Sequence, residues 1–312
     1  MVSICVPTYN SEDSITETLR SALAQTYDDF ELLVVDDGSS DATLELVRQL
    51  ADERVRVVAN PENLGQARNT DRCIALARGR LVKFLHSDDL LLPDCLERMV
   101  PIFEAHPDVG LVFGRRRVEG GSDWWRRRYG ELHLDFRDLQ EVNSGSRLLA
   151  QWIDAGLPSN WIGEPSSVMV RRACFERLGG FNVRMVQDVD MDMWLRVLAF
   201  YDAGFVDAPV SVYRVRDDSV SAVNVAGGHA WLDRLWMLEG LRTEGELWDR
   251  HPSLRELRRD RQVAVMKVAA RSVSRPAHGL SRLRDLAPYF AHVARSRVGR
   301  QPLIHRPIAP GA

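Results

Sequence analysis

Of 312 residues only four are cysteine, and Cys5, Cys73, Cys95 and Cys174 stand far apart with no CxxC pair among them. That spacing excludes a zinc framework or a disulfide scaffold and reads as four reduced thiols. No apolar run reaches the roughly 18–20 residues that cross a bilayer. The opening stretch MVSICVPTYN is too short and too uncharged for a signal peptide, so a cytoplasmic protein is expected. Charge of one sign is not in excess either: a formal net charge of −3 gives no case for nucleic acid as the main partner. Glycine-rich phosphate loops of the GxGxxG or GxxxxGK[ST] kind are missing, which argues against a dinucleotide-dependent dehydrogenase or a P-loop enzyme. What remains is ordinary globular material, 45% hydrophobic and 27% charged, enough for one large domain or two moderate ones.

The first third alternates short apolar runs with helical periodicity. VSICVP (2–7), FELLVVDD (30–37), RVRVVA (54–59), RLVKFL (80–85) and VGLVFG (109–114) read as buried strands. Between them Ile15, Leu19, Ala22 and Leu23 share one helical face behind an N-cap at Asn10 or Ser11. Leu44, Val47, Leu50 and Ala51 share a second, and Leu96, Met99, Val100 and Phe103 a later one opened by Pro93. Strand and helix in repeated alternation predict an α/β fold, a mostly parallel sheet flanked by helices on both faces. Ligands of such sheets bind beyond the carboxyl ends of the strands.

Three polar clusters fall at those ends: PTYN (7–10), DDGSSD (36–41) and HSDD (86–89). Each alone has a plain structural reading, a turn, a strand exit or a helix cap. Their convergence on one sheet edge is what points to a site. Asp36 and Asp37 can accept hydrogen bonds from a nucleobase N–H or from ribose hydroxyls. The adjacent carboxylates of Asp88 and Asp89 suit a hard divalent cation that keeps phosphate oxygens in its shell. Arg68, in NLGQARN, could reach a diphosphate as a charge-assisted donor.

In order and content these segments resemble glycosyltransferase family 2, whose members are inverting, nucleotide-sugar-dependent enzymes with a GT-A fold. The resemblance runs over VSICVPTYN, QTYDDFELLVVDDGSSD, NLGQARN and FLHSDDLLLPDCL, from residue 2 to about 114, and resumes at 163–182 and 187–196. It implies donor contacts at Pro7, Thr8, Tyr9, Asp36, Asp37, Arg68, Ser87 and Asp88, with a UDP- or dTDP-type donor. It implies Mn²⁺ or Mg²⁺ at Asp88 and Asp89. The family's DxD element falls on His86-Ser87-Asp88, so a histidine stands where many members have the first aspartate. An imidazole can ligate Mn²⁺ but is a poor ligand for Mg²⁺.

Inverting transfer needs one carboxylate to take a proton from the acceptor hydroxyl. QDVDMDMWLRVL offers Asp188, Asp190 and Asp192, two residues apart and therefore on different faces of a helix. By resemblance the base falls on Asp190; a two-residue shift of register would place it on Asp188. Asp192 is expected to be a solvated acidic residue at a helix start. Glu164 reads as a structural or acceptor-side carboxylate, and Trp124, Trp125 and Trp161 as core residues or weak sugar-stacking candidates. The runs Arg115–Arg117 and Arg126–Arg128 read as solvated faces unless the acceptor is anionic. A QxxRW element of processive members is missing, which favours transfer of single sugars to a saccharide, lipid-linked or other hydroxyl acceptor.

The last third changes character. Residues 251–312 carry thirteen Lys/Arg against three Asp/Glu, a formal +10. Leu280, Leu283, Leu286, Phe290, Val293 and Ala294 form a helical stripe, expected to pack on the catalytic domain, or to touch anionic membrane at its inner face. The expected organisation is a GT-A domain over 1–225 (donor half 1–114, acceptor half 115–225), a basic helical extension over 226–300, and a Pro-rich, disordered tail over 301–312. Two other classes stay open: a nucleotidyltransferase, which would begin with a Gly-rich basic loop that VPTYNSEDS lacks, and a non-catalytic nucleotide-binding scaffold, which has no need of Asp190.

Overall fold

A computed structural model of the chain describes residues 1–123, 126, 130–215, 232–243, 248–249, 251–273 and 286–293. The strands are β1 (Val2–Thr8), β2 (Phe30–Asp36), β3 (Val55–Ala59), β4 (Leu81–Phe84), β5 (Leu90–Leu91), β6 (Val109–Gly120), β7 (Val142–Asn143), β8 (Val168–Arg171) and β9 (Asp202–Val215). The helices used below are α1 (Ile15–Leu23), α2 (Thr43–Arg48), α3 (Gln66–Leu76), α4 (Cys95–Ala105), α5 (Gly145–Asp154), α6 (Arg172–Leu178), α7 (Val189–Phe200), α8 (Asp233–Thr243) and α9 (Ser253–Val273). A further helical segment spans 286–293.

The sheet order is β3-β2-β1-β4-β8-β6-β9-β5, with β7 also on β9. Strands β1 to β4 are parallel to one another, as are β6 and β9; β8 runs against both β4 and β6, and β5 and β7 run against β9. The apolar runs of the central strands are continuous because both faces are covered. Along β1, Val2, Ile4 and Val6 enter one core while Cys5 enters the other; along β2, Leu32 and Val34 part in the same way from Leu33 and Val35. Successive side chains alternate between the faces of a strand, so two cores flank one sheet.

One core is closed by α1 and α4, through Ile15, Leu19, Leu96, Met99 and Phe103. The other is larger and gathers Cys73 and Ile74 of α3, Trp152 of α5, Phe175 of α6, Trp194 of α7 and Trp236 of α8. Leu254 and Val265 of α9 and Leu286 and Tyr289 of segment 286–293 join that same core. Helix α9 and segment 286–293 are thus built onto this larger core through their apolar sides.

The first strands and helices match the sequence expectation within a few residues. Helix α1 begins at Ile15, later than an N-cap at Asn10 or Ser11, because the Ser11 carbonyl accepts the N–H groups of Ser14 (3.1 Å) and Ile15 (2.9 Å) in a preliminary turn. Helix α2 stops at Arg48, leaving Leu50 and Ala51 beyond it. Strand β6 continues to Gly120 because β9 pairs along it through three irregularities, from Val109↔Asp202 to Gly120↔Val215. In the stripe near the C-terminus, Leu286 is buried and Phe290 is 45% exposed, whereas Tyr289 and His292 are buried. Leu280, Leu283, Ala294 and the tail from 301 lie outside the described residues, as do Trp124, Trp125, Arg127 and Arg128.

Candidate active site

Parallel pairing sets the strand-end residues expected to meet a donor in one row. Thr8 at the end of β1 stands opposite Asp36 at the end of β2, and β4 runs beside β1 with Cys5 opposite Phe84. Pro7 is half-buried, Tyr9 is 49% exposed, and the Thr8 hydroxyl is buried with no hydrogen-bond partner. Asp36 accepts from the Ser39 amide (3.0 Å) and hydroxyl (2.5 Å). Asp37 accepts from Asn60 Nδ2 (2.7 Å) and the amides of Leu64 and Gly65 (both 2.9 Å). These two carboxylates brace the loops around the row. Asp37 in particular fixes Gly65, whose φ of 86° opens helix α3 and whose conformation a side chain would strain. Arg68 follows in the first turn of α3 and is exposed.

The turn 86–89 is pinned from three directions. Ser14 Oγ (2.9 Å) and Thr18 Oγ1 (3.0 Å) donate to the Ser87 carbonyl from α1, and Thr18 Oγ1 also reaches the Asp89 carbonyl (2.9 Å). The His86 amide donates to Ser166 Oγ (3.0 Å), and Asp89 Oδ1 accepts the Arg214 amide (3.0 Å) from the end of β9. Ser87 Oγ lies 2.7 Å from Ser11 Oγ. Asp88 is half-buried, while Asp89 is buried with its Oδ2 lacking a hydrogen bond and 3.9 Å from His86 Nδ1. Burial, then the charges of Asp88 and Glu164, push the Asp89 carboxyl well above its ordinary range. Burial also holds the His86 imidazole in its neutral form.

An enclosed carboxylate oxygen without a hydrogen-bond donor fits a cation. Among the described residues no three His, Cys, Asp or Glu are grouped to hold an ion by themselves. Two carboxylates would therefore leave ligand positions to oxygens of another molecule, as a diphosphate supplies.

The second carboxylate group opens helix α7, and its three aspartates have different surroundings. Asp188 pairs with Arg234 of α8 (3.1 Å). Asp192 is fully buried against Arg196 (3.0 Å), so the expectation of a solvated residue is corrected: the i, i+4 spacing turns both into the packed side of the helix. Asp190 lies between them. Its Oδ1 accepts the Met191 amide (2.7 Å) and its Oδ2 accepts Asn160 Nδ2 (2.9 Å). Burial, with Asp188 and Glu164 nearby, raises its carboxyl to about 7.

Glu164 sits between the two groups, since its charge is felt at Asp89 and at Asp190 alike. It pairs with Arg116 (2.5 Å), whose guanidinium lies 5.4 Å over the Tyr213 ring. Arg116 is therefore buried rather than solvated; period two on β6 sends it to the face opposite Arg115 and Arg117. Trp161 is core, stacked on Trp152 at 6.2 Å. Beneath the turn, Lys83 is fully buried and donates to the carbonyls of Ser166 (2.5 Å) and Val168 (3.3 Å). Asp233 accepts from the amides of Val186 (3.0 Å), Gln187 (2.6 Å) and Asp188 (3.0 Å), holding the segment that leads into α7. Asn160, Asp233 and Arg234 carry no sequence signal of their own; only the alternation within the arginine run could have singled out Arg116.

Residues 3–161 match the family model Glycosyl transferase family 2. Among similar proteins is the UDP-Glc:alpha-D-GlcNAc-diphosphoundecaprenol beta-1,3-glucosyltransferase WfaP of Escherichia coli, 33% identical over 71% of this chain and 80% of that protein. Among solved structures, S. aureus TarS 1-349 in complex with UDP-GlcNAc has a TM-score of 0.60 at 19% identity, covering 76% of this chain and 65% of that one. A mannosyltransferase from Pyrobaculum calidifontis, in complex with GDP-Man and Mn2+, has a TM-score of 0.57 at 22% identity and covers 97% of this chain and 84% of that one. The likeness to the two structures establishes a GT-A fold.

Proposed function

The chain belongs to glycosyltransferase family 2, and on that premise we propose an inverting transfer of a sugar from a UDP- or dTDP-type nucleotide sugar to a hydroxyl of a saccharide or lipid-linked acceptor. The observation that carries this reading is that two carboxylate groups share one neighbour, since the charge of Glu164 acts both on Asp89 and on Asp190. Asp88 and Asp89 stand at the strand ends; Asp190 is a buried carboxyl raised to about 7, in the range a general base needs. Asp190 removes the acceptor proton as the acceptor oxygen bonds to the anomeric carbon and the bond to the diphosphate breaks. Asp188 is the weaker candidate because Arg234 already occupies it. The strand-end row from Pro7 to Tyr9, with Asp36, Asp37, Arg68, Ser87 and Asp88, borders the donor. Asp88 and Asp89, with neutral His86 beside them, would hold a divalent cation. That ion, when bound, would offset the charge of the leaving diphosphate.

WfaP is named for a UDP-Glc donor and a diphosphoundecaprenol-linked acceptor, and TarS is described with UDP-GlcNAc, which favours the uridine donor. A lipid-linked acceptor fits a peripheral contact of the basic extension with anionic membrane. In support, a groove of about 390 Å³ between α9 and segment 286–293 exposes Met266 and Phe290, with Arg259 and Lys267 alongside. No helix of the described residues is long and apolar enough to cross a membrane.

The test is thermal shift with nucleoside diphosphates, with and without Mn²⁺ or Mg²⁺. UDP should raise Tm more with the cation than without, because a ligand bound only to the folded state stabilises it by mass action. The absence of any shift, with any nucleoside diphosphate in either condition, would overturn the donor assignment.

A further inference from the structure

Asn160 lies 30 residues from Asp190 in the chain, yet its amide spends every polar atom on holding the turn 160–163 to that carboxylate. Its Oδ1 accepts the N–H groups of Ile162 and Gly163, both at 3.0 Å. Two backbone donors on that oxygen fix the orientation of the amide, so the two N–H groups of Nδ2 face the other way. One reaches the Gly163 carbonyl (2.7 Å) and the other reaches Asp190 Oδ2 (2.9 Å). The Gly163 carbonyl also accepts Trp194 Nε1 (2.9 Å), so the turn is fastened to helix α7 at two points one turn apart. Gly163 has a φ of 115° and a side chain there would meet Ser167 Oγ at 2.5 Å, so the turn has little room to adopt another shape.

Resting on the reading of Asp190 as the base, we propose that Asn160 is its positioning residue: the amide aims the carboxylate and keeps it ionised for proton removal. With Met191 N–H on Oδ1 and Asn160 on Oδ2, each oxygen takes one donor and keeps lone-pair capacity for the acceptor proton. The charged groups around Asp190 oppose this. Asp188 on its own helix and Glu164 at the end of the turn both favour the protonated form, while Arg234 from α8 is the cation that faces it. The donors to the carboxylate, the Met191 amide first and the Asn160 amide after it, are therefore what shift the balance toward the ionised form. Glu164 follows Gly163 directly, so the same turn sets the spacing between the base and the Asp88–Asp89 side.

The experiment uses the full chain without substrate and reads the Asp190 proton through stability. A carboxyl raised by folding contributes stability while protonated and loses it as pH rises from about 4 toward its folded pKa, beyond which the loss is complete. The Tm difference between Asp190→Asn and wild type should therefore grow with pH and level off near 7. In the Asn160→Ala background the same difference should level off roughly one pH unit higher, as expected for loss of one charge-assisted hydrogen bond. Asn160→Asp, which keeps the acceptor for Ile162 and Gly163 but loses the donor and adds a charge, serves where Asn160→Ala does not fold; it should move the break the same way. An unmoved break in the variant that folds would overturn the positioning role, because a merely structural turn lowers Tm without touching this pH. If Asp190→Asn leaves sugar transfer intact, the base assignment fails instead, independently of where the break lies.

Discussion

Asp188, Asp190 and Asp192 stand two residues apart at one helix start, and their surroundings give them three roles. Asp192 neutralises Arg196 inside the core, Asp188 neutralises Arg234 at the rim, and only Asp190 is held by neutral donors. Asp190→Asn should leave nucleotide binding nearly intact and lower transfer by roughly 10²–10⁴-fold, the usual contribution of a positioned general base. Asp188→Asn should cost far less; the reverse result would move the base to Asp188. The kcat of the wild type should rise with pH through about 7 as Asp190 loses its proton. At this scale the sequence made the acidic residues legible, because the motif order places them. It could not make Asn160 or Arg116 legible, since their partners Asp190 and Glu164 lie 30 and 48 residues away and no local pattern records the pairing.

At the scale of elements, helix α7 carries the proposed base and is anchored by its own far side. Removing one partner of a fully buried ion pair leaves an uncompensated charge and costs about 3–5 kcal/mol. Asp192→Asn should therefore lower stability by that order and reduce sugar transfer only through the loss of folded protein, as denaturant unfolding and activity per folded molecule would show. Activity lost without a stability change would instead place Asp192 in the chemistry. Strands β1, β2 and β4 were legible because two-sided burial writes an apolar run; β3, expected to be buried, is instead the half-buried edge of the sheet, and only its β-branched residues marked it. Strand β9 was not: in DAGFVDAPVSVYRV the apolar residues alternate with polar ones and Pro209 interrupts them, and its place is set by β6, almost a hundred residues earlier. The pairing of β9 nonetheless decides the site, since it brings the Arg214 amide onto Asp89.

For the whole molecule, the asymmetry of charge is the feature that outlasts the fold. Residues 251–312 carry a formal +10 and the rest of the chain −13. The apolar side of the extension is already used, with Leu254, Val265, Leu286 and Tyr289 in the core and Trp236 stacked edge-on against Tyr289 at 5.5 Å. What faces outward near the groove is a mixed surface: Val263, Met266 and Phe290 are each about half exposed, with Arg259 and Lys267 beside them. Each basic residue near an anionic surface contributes about 1 kcal/mol, and the attraction reaches only about 8 Å at physiological ionic strength. The full chain should therefore sediment with anionic vesicles at low salt, bind neutral vesicles weakly, and be released from the anionic ones as salt rises. Arg259→Glu combined with Lys267→Glu should weaken that binding while leaving Tm close to wild type, because neither residue is part of the core. Met266→Asp should weaken it too, and with less dependence on salt, since it removes apolar insertion rather than charge. Equal binding to both vesicle types, or none to either, would show that the positive segment serves packing and solubility rather than membrane attachment.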